Sequence, residues 1–175
     1  MNIIAEQLLR QKTKKVKRNV GTVNLKTAKT ALIIYDATDN KRENKVRNFA
    51  HFLKEEGIKT TTLGYYRKQN KEDVKPEDEL SYHYFDKNSF NRLGFPKDEL
   101  LNKTIAKEFH LCFDLNVDYQ FQLRVISSLS RANLKVGKSG GYQNDICDLT
   151  LAVENNELNY LMDQMKIYLN MINKK

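Results

Sequence analysis

The sequence predicts an α/β protein with a mostly parallel, Rossmann-like three-layer sheet of about six strands and helices on both faces. Short apolar runs rich in β-branched and aromatic residues alternate with longer segments whose apolar residues recur at helical spacing. The clearest run is apolar throughout instead of alternating, which is typical of a parallel strand covered on both faces. Strands separated by helices imply parallel pairing through crossover connections.

Each predicted strand is a short run bounded by polar or glycine-containing residues. The first, over residues 30–36, has the sequence TALIIYD, and the second, over 58–65, is rich in threonine. Both have the composition of buried strands. The remaining predicted strands are 80–86, one within 111–118, 134–138 and 149–153.

The segments between these strands carry helix signals. Asp39 or Asn40 can cap a helix over 41–56, which Gly57 ends. Pro96 suits the first turn of a helix that continues to about residue 109. Two further helices are predicted over 121–132 and 157–172, and a solvated loop over 66–79.

Nearly all of the net charge lies at the N-terminus. Residues 1–30 hold eight basic side chains and one acidic side chain, which gives +7 of the formal net charge of +8. We expect a basic helix over residues 2–18, followed by a polar linker. The predicted organisation is therefore an N-terminal helix and linker, residues 1–29, and a single α/β domain, residues 30–175.

Segregated positive charge favours a polyanionic partner. We expect RNA or a ribonucleoprotein, such as a ribosome-associated assembly, to bind this helix through phosphate contacts. An anionic membrane surface is the weaker alternative, because two apolar helical turns provide little anchoring. A solvated helix face is the plain structural alternative. The predicted phosphate-contacting residues are Arg10, Lys12, Lys14, Lys15, Lys17 and Arg18.

The carboxyl ends of the strands supply a second hypothesis, because open α/β sheets bind ligands there. Converging acidic side chains at this edge suit Mg²⁺, a sugar or a general base, and a lysine beside glycine-rich backbone suits a small anion. The site would belong to an enzyme or a binding domain for a phosphorylated or sugar metabolite. Helix capping and a plain glycine turn are the structural alternatives. The candidate residues are Asp36, Asp39, Asp118, Lys138, Ser139 and Gly140.

The sequence lacks the spacing that catalytic and metal motifs require. His51, His83 and His110 are far apart, without a metal-type partner nearby. The run at 137–139 resembles the end of a phosphate loop, but Ala132 stands where that loop needs glycine. We therefore expect a binding protein rather than an enzyme, with no catalytic residue, no metal site and no cofactor.

Cysteine content and hydropathy bear on localisation. Cys112 and Cys147 lie in apolar segments, so a disulfide framework is not expected and a reducing cytoplasm is the predicted compartment. The longest apolar runs fall far short of the roughly 20 residues that span a bilayer.

A strand–helix–strand pattern supplies a resemblance. Phe113-Asp114-Leu115, Val117-Asp118, Ser130-x-Ala132 and Val136-Gly137-Lys138 form it, together with Gly94-Phe95-Pro96. Over roughly residues 10–173 the chain resembles a family of small bacterial α/β proteins of unknown function. That resemblance implies the fold and a bacterial source, and it implies no activity.

Residues 113–138 alone are similar to the acceptor-side domain of heptosyltransferase-type glycosyltransferases. The similarity implies a nucleotide-sugar ligand held between two Rossmann-like domains. This chain has room for one such domain, and Asp36-Ala37-Thr38-Asp39 stands where those enzymes carry a Gly-Asp element. We therefore do not expect glycosyl transfer by this chain alone.

Overall fold

A computed structural model describes residues 2–68, 74–153 and 157–172. The strands form one parallel sheet, which confirms the predicted fold class. They are β1 (Thr30–Asp36), β2 (Lys59–Tyr65), β3 (Tyr82–Phe85), β4 (Glu108–Asp114), β5 (Arg131–Lys138) and β6 (Leu149–Leu151). Their order across the sheet is β3-β2-β1-β4-β5-β6.

Helices cover both faces of the sheet. They are α1 (Ile3–Lys15), α2 (Asn40–Glu55), α3 (Glu99–Ala106), α4 (Phe121–Leu129), α5 (Gln143–Ile146) and α6 (Leu158–Met171). Side chains of α2 and α6 share one apolar cluster with the sheet, and those of α3 and α4 share another. Helix α1 packs on α4. None of the described helices has the length and apolar character needed to cross a membrane.

The central strand β1 explains how the two layers form. Its residues 31–35 have no exposed surface. Successive side chains of a strand point to opposite faces, so Ile33 and Tyr35 pack with the α2 and α6 side, whereas Leu32 and Ile34 pack with the α3 and α4 side. A run that is apolar at every position is therefore needed at the centre of this sheet.

Several predicted boundaries were wrong. Helix α3 begins at Glu99 instead of Pro96, because Asp98 caps it by accepting the Leu101 amide hydrogen at 2.9 Å. Pro96 instead forms an isolated antiparallel bridge with Phe90. The N-terminal helix ends at residue 15, α4 ends at 129, and β5 begins at 131. Strand β4 ends at residue 114, so Asp118, which was expected at the carboxyl end of this strand, lies four residues beyond it.

The segment predicted as a linker is packed against the sheet. Val23, Leu25 and Ala28 are buried in the α2 and α6 cluster. The Gly21 amide donates to the Asn133 carbonyl at 3.1 Å. Residues 19–29 therefore hold the N-terminal segment close to the domain. In the loop predicted over 66–79, residues 69–73 lie outside the described residues.

A buried lysine joins β5 to α4. Lys135 is 2% exposed, and its ammonium group donates to the Ser127 carbonyl at 2.6 Å and to the Ser128 carbonyl at 3.3 Å. These carbonyls lie at the C-terminal end of α4, where a cation interacts favourably with the helix dipole. Burial lowers the pKa of Lys135, and the paired carbonyls explain how the group is tolerated in the core.

We expect Gly64→Ala to lower the free energy of unfolding by about 1–3 kcal/mol, because an added methyl group overpacks β2. A Cβ atom at Gly64 would lie 2.9 Å from the Ala37 Cβ atom and 3.1 Å from the Tyr35 ring. Urea denaturation measures the change. Gly21→Ala is the control, since no atom lies within 4 Å of its added Cβ. Equal effects of the two substitutions would contradict the packing described.

Candidate functional site

The strand order reverses between β1 and β4. The chain proceeds from β1 outward to β3 on one side and from β4 outward to β6 on the other. Loops that leave β1 and β4 therefore diverge and open a crevice at the carboxyl ends of these strands, which is where such sheets bind ligands. Both strands end in a buried aspartate: Asp36 is 3% exposed and Asp114 is 1% exposed.

Asp36 is compensated by amide groups and two arginines. Its Oδ1 atom accepts the Thr38 amide hydrogen at 2.9 Å, and its Oδ2 atom accepts from the Gln120 side-chain amide. Arg42 and Arg67 each place a guanidinium nitrogen 3.4 Å from the same Oδ2 atom. These contacts explain how a charged carboxylate is held in the interior.

Asp114 is held by neutral donors. Its Oδ1 atom accepts from the Asn116 side-chain amide at 2.8 Å, the Tyr142 hydroxyl at 3.1 Å and the Gln143 amide at 3.4 Å. Burial raises the pKa of the Asp114 carboxyl group, and the side chains of Ser127, Tyr142 and Asn116 oppose that rise. Burial and the Asp114 charge also raise the pKa of Tyr142, so its hydroxyl remains a donor.

Two buried amide oxygens in this region, Asn116 Oδ1 and Gln120 Oε1, have no hydrogen-bond donor among the described residues. Asp114 differs from them, because a hydrogen bond from the Ser127 side chain opposes the rise in its pKa that burial causes. The two amide orientations are fixed chemically, because each NH₂ group must face the carboxylate it donates to. Each carbonyl oxygen is consequently turned away from its aspartate. A buried acceptor without a donor costs about 1–3 kcal/mol, so a donor from outside the chain is expected to meet these atoms.

A small cavity of about 140 Å³ lies between the loops that follow β4 and β5. Asn116 and Asp118 line one side, and Lys138, Gly140 and Gln143 line the other. Ligand pockets commonly measure about 300–1,000 Å³. This cavity therefore has the size for a head group, such as a phosphate or part of a sugar, instead of a complete metabolite.

The structure brings together most of the acids and the lysine predicted at this edge. The Arg42 guanidinium lies 3.4 Å from Asp36 and 3.2 Å from Asp118, so one side chain links both carboxylates. Asp118 and Lys138 line the same cavity. Asp39 is separate: it is exposed and caps α2 by accepting the Lys41 amide hydrogen at 2.9 Å.

The glycine-rich turn after β5 does not offer the anion-binding amides that were expected there. The Ser139 amide donates to the Leu151 carbonyl at 2.8 Å. The Gly140 amide donates to Asn144 Oδ1 at 3.2 Å, and Gly140 adopts a φ of +92° that favours glycine. Both amides are satisfied within the chain, so the predicted anion contacts of Ser139 and Gly140 would have to come from elsewhere on this loop, where Lys138 lines the cavity.

The predicted basic helix is docked. Ala5 and Leu9 are buried against Val125 of α4, and Glu6 forms an ion pair with Arg124 at 2.8 Å. The exposed cations of this segment are Arg10, Lys12, Lys14, Lys15 and Lys17.

Arg18 differs from the other cations of the segment. Its guanidinium group pairs with the Asp148 carboxylate and donates to the Ala132 carbonyl at 3.0 Å. The positive charge of Arg18, the sixth residue predicted to contact phosphate, is therefore already compensated by Asp148 within the protein.

Sequence reasoning missed Asp114, Asn116 and Gln120. One signal was present: β1 ends in the pair Tyr35-Asp36, and β4 ends in the similar pair Phe113-Asp114. The two amides had no such signal, because their roles depend on contacts with distant segments.

The model of a family described as a family of unknown function (DUF6913) matches residues 2–172. No curated protein and no solved structure matches the chain. The family match covers the sheet, its helices and the carboxyl-edge cavity.

We expect Asp114→Asn to raise the free energy of unfolding at neutral pH by about 1 kcal/mol, because it removes a buried charge and keeps an acceptor at Oδ1. The folded protein holds the Asp114 proton to higher pH than the unfolded chain does, since the pKa is raised. The free energy of unfolding of the wild-type protein therefore falls as the pH rises from the Asp114 pKa of the unfolded chain to that of the folded protein. The variant does not show this fall.

Denaturation at several pH values measures the difference. The control is Asp163→Asn on α6, whose exposed carboxylate pairs only with Lys166 among the described residues. This account of Asp114 would be contradicted if the Asp114→Asn protein were less stable than the wild type. It would also be contradicted if the difference in their free energies of unfolding did not increase with pH.

Proposed function

We propose that the chain, which belongs to the DUF6913 family of unknown function, binds a phosphorylated, hydroxyl-rich metabolite at the carboxyl edge of the sheet, in the cavity between the loops that follow β4 and β5. The observation that carries the proposal is the buried Asn116 Oδ1 atom, which has no hydrogen-bond donor among the described residues, in a cavity that Lys138 also lines. A hydroxyl group supplies the missing donor, and a phosphate supplies the partner for the lysine.

The hydroxyl-binding part of the site lies after β4. Asn116 lines the cavity and keeps its Oδ1 atom free, because its amide nitrogen is committed to Asp114. The Asp118 side chain is 60% exposed and accepts hydrogen bonds through two oxygens. Adjacent hydroxyls of a sugar match this pair of acceptors.

The phosphate-binding part of the site is cationic. Lys138 forms no ion pair with any described residue and lines the cavity. A phosphate group in the cavity would therefore gain the Lys138 ammonium group as a charged partner.

This proposal concerns binding and assigns no reaction. The described residues form a single sheet, which is consistent with one ligand-binding domain.

We expect full-length protein to bind ribose 5-phosphate in a saturable manner, and Lys138→Ala to weaken binding about tenfold or more, because a charge-assisted hydrogen bond is lost. Isothermal titration calorimetry measures both. Lys54→Ala, which removes an exposed lysine from α2, is the matched control. The proposal would be contradicted if ribose 5-phosphate showed no saturable binding, or if the Lys138→Ala and wild-type proteins bound it with equal affinity.

A second candidate function is RNA or ribonucleoprotein binding by α1 in a bacterial cytoplasm. The observation that favours it is a run of five exposed cations, four on a helix whose apolar side packs on α4 and the fifth, Lys17, just after that helix. A docked helix presents its charges without the entropic cost of ordering a free arm. This candidate uses a different surface from the carboxyl edge, so the two functions are separable.

Neutralising the five cations tests the second candidate. The variant carries glutamine at Arg10, Lys12, Lys14, Lys15 and Lys17. We expect it to lose affinity for a single-stranded RNA oligonucleotide and to show a flatter dependence of log K on log salt, because fewer counterions are released.

The control carries glutamine at five exposed lysines elsewhere: Lys54, Lys59, Lys87, Lys97 and Lys103. Equal losses in the two proteins would mean that net charge alone, and not α1, governs RNA binding.

A further inference from the structure

Tyr119 separates the carboxyl-edge cavity from a second, larger one. The second cavity measures about 380 Å³ and lies between the N-terminal end of α1, the loop before α3 and the start of α4. Tyr119 lines both cavities. The two cavities therefore lie on either side of one residue, and a ligand that occupied both would contact Tyr119.

Contacts on two sides hold the Tyr119 ring in this place. Its centroid lies 6.0 Å from that of Tyr142, in an edge-to-face arrangement. Its hydroxyl group lies 3.5 Å from a carboxylate oxygen of Glu6 on α1 and 3.4 Å from a guanidinium nitrogen of Arg124. The residue is 54% exposed, so a face or edge of the ring remains available to a ligand.

The second cavity combines aromatic walls with polar groups. Tyr119 and Phe121 supply the aromatic rings, and Arg92 and Gln122 supply hydrogen-bonding groups. Aromatic rings and guanidinium groups are the surfaces on which nucleic-acid bases stack. An acyl chain would use the apolar walls and leave the polar groups without partners. The lining therefore suits a planar heteroaromatic ring with a polar edge.

We propose that the ligand of the carboxyl edge is a nucleoside phosphate, with its base against Tyr119 in the second cavity and its sugar and phosphate between Asp118 and Lys138. The inference rests on the proposed function and names the class of ligand. It also gives α1 a role, because Ala5 of this helix forms part of the base cavity.

The loop that carries Arg92 is positioned by Gly94. This glycine has a φ of +80°, and a Cβ atom there would lie 2.7 Å from the Phe121 ring. Arg92 and Phe121 line the same cavity, and the close approach at Gly94 holds the loop of Arg92 against Phe121.

Titration of the full chain with adenosine 5′-monophosphate, uridine 5′-monophosphate and ribose 5-phosphate tests the inference. We expect one or both nucleotides to bind about tenfold or more tightly than the sugar phosphate, because a stacked base adds affinity. Tyr119→Ala should reduce nucleotide affinity to that of ribose 5-phosphate. Tyr119→Phe, which keeps the ring, should retain the preference.

Tyr160→Ala is the matched control, because Tyr160 is an exposed tyrosine on α6. Thermal unfolding of each variant shows that the comparison is between folded proteins.

If ribose 5-phosphate and the nucleotides bind equally well, and Lys138→Ala weakens their binding, the assignment of a base to the second cavity is wrong. The proposed function is then unaffected. A nucleotide preference that survives Tyr119→Ala would overturn the assignment of the base to this cavity. If none of the three compounds binds, the proposed function fails and the nucleoside phosphate fails with it.

Discussion

Buried carboxylates at the ends of the two central strands organise the carboxyl edge of this protein. Asp36 requires donors and cations, and it obtains them from Thr38 in the loop after β1, from Arg67 after β2 and from Gln120 before α4. Asp114 obtains its donors from the loop after β4 and from α5. Because buried charges must be compensated, the loops after four strands are fixed relative to one another.

The same arrangement leaves acceptor oxygens without donors, which is unfavourable for folding. An uncharged side chain in place of Asp114 would avoid the burial of charge, and a second donor would satisfy Asn116 and Gln120. Proteins keep such local conflicts where a site needs them, and the conflict here lies beside a cavity with Lys138. This conflict is the reason why we propose a ligand site at the carboxyl edge.

Much of the fold could be predicted because residues 31–35 of β1 are all apolar and Asp39 lies where a helix cap is needed. Strand β4 was harder, since polar residues interrupt its sequence and hid the fact that it ends at Asp114. Lys135 was also missed, because its carbonyl partners become neighbours only when α4 packs on β5. Gln120 lies 84 residues from Asp36 in sequence, so no local pattern could reveal that contact.

The most direct test of the carboxyl-edge site is a titration of ¹⁵N-labelled protein with a nucleoside monophosphate, followed by amide chemical shifts. Our account predicts saturable shifts concentrated in residues 116–119 and 138–143, which surround the small cavity, with further shifts at 92–94. Shifts confined to the exposed cations of α1 would show that the anion binds the basic helix instead. That result, or no saturable shift at all, would contradict the account.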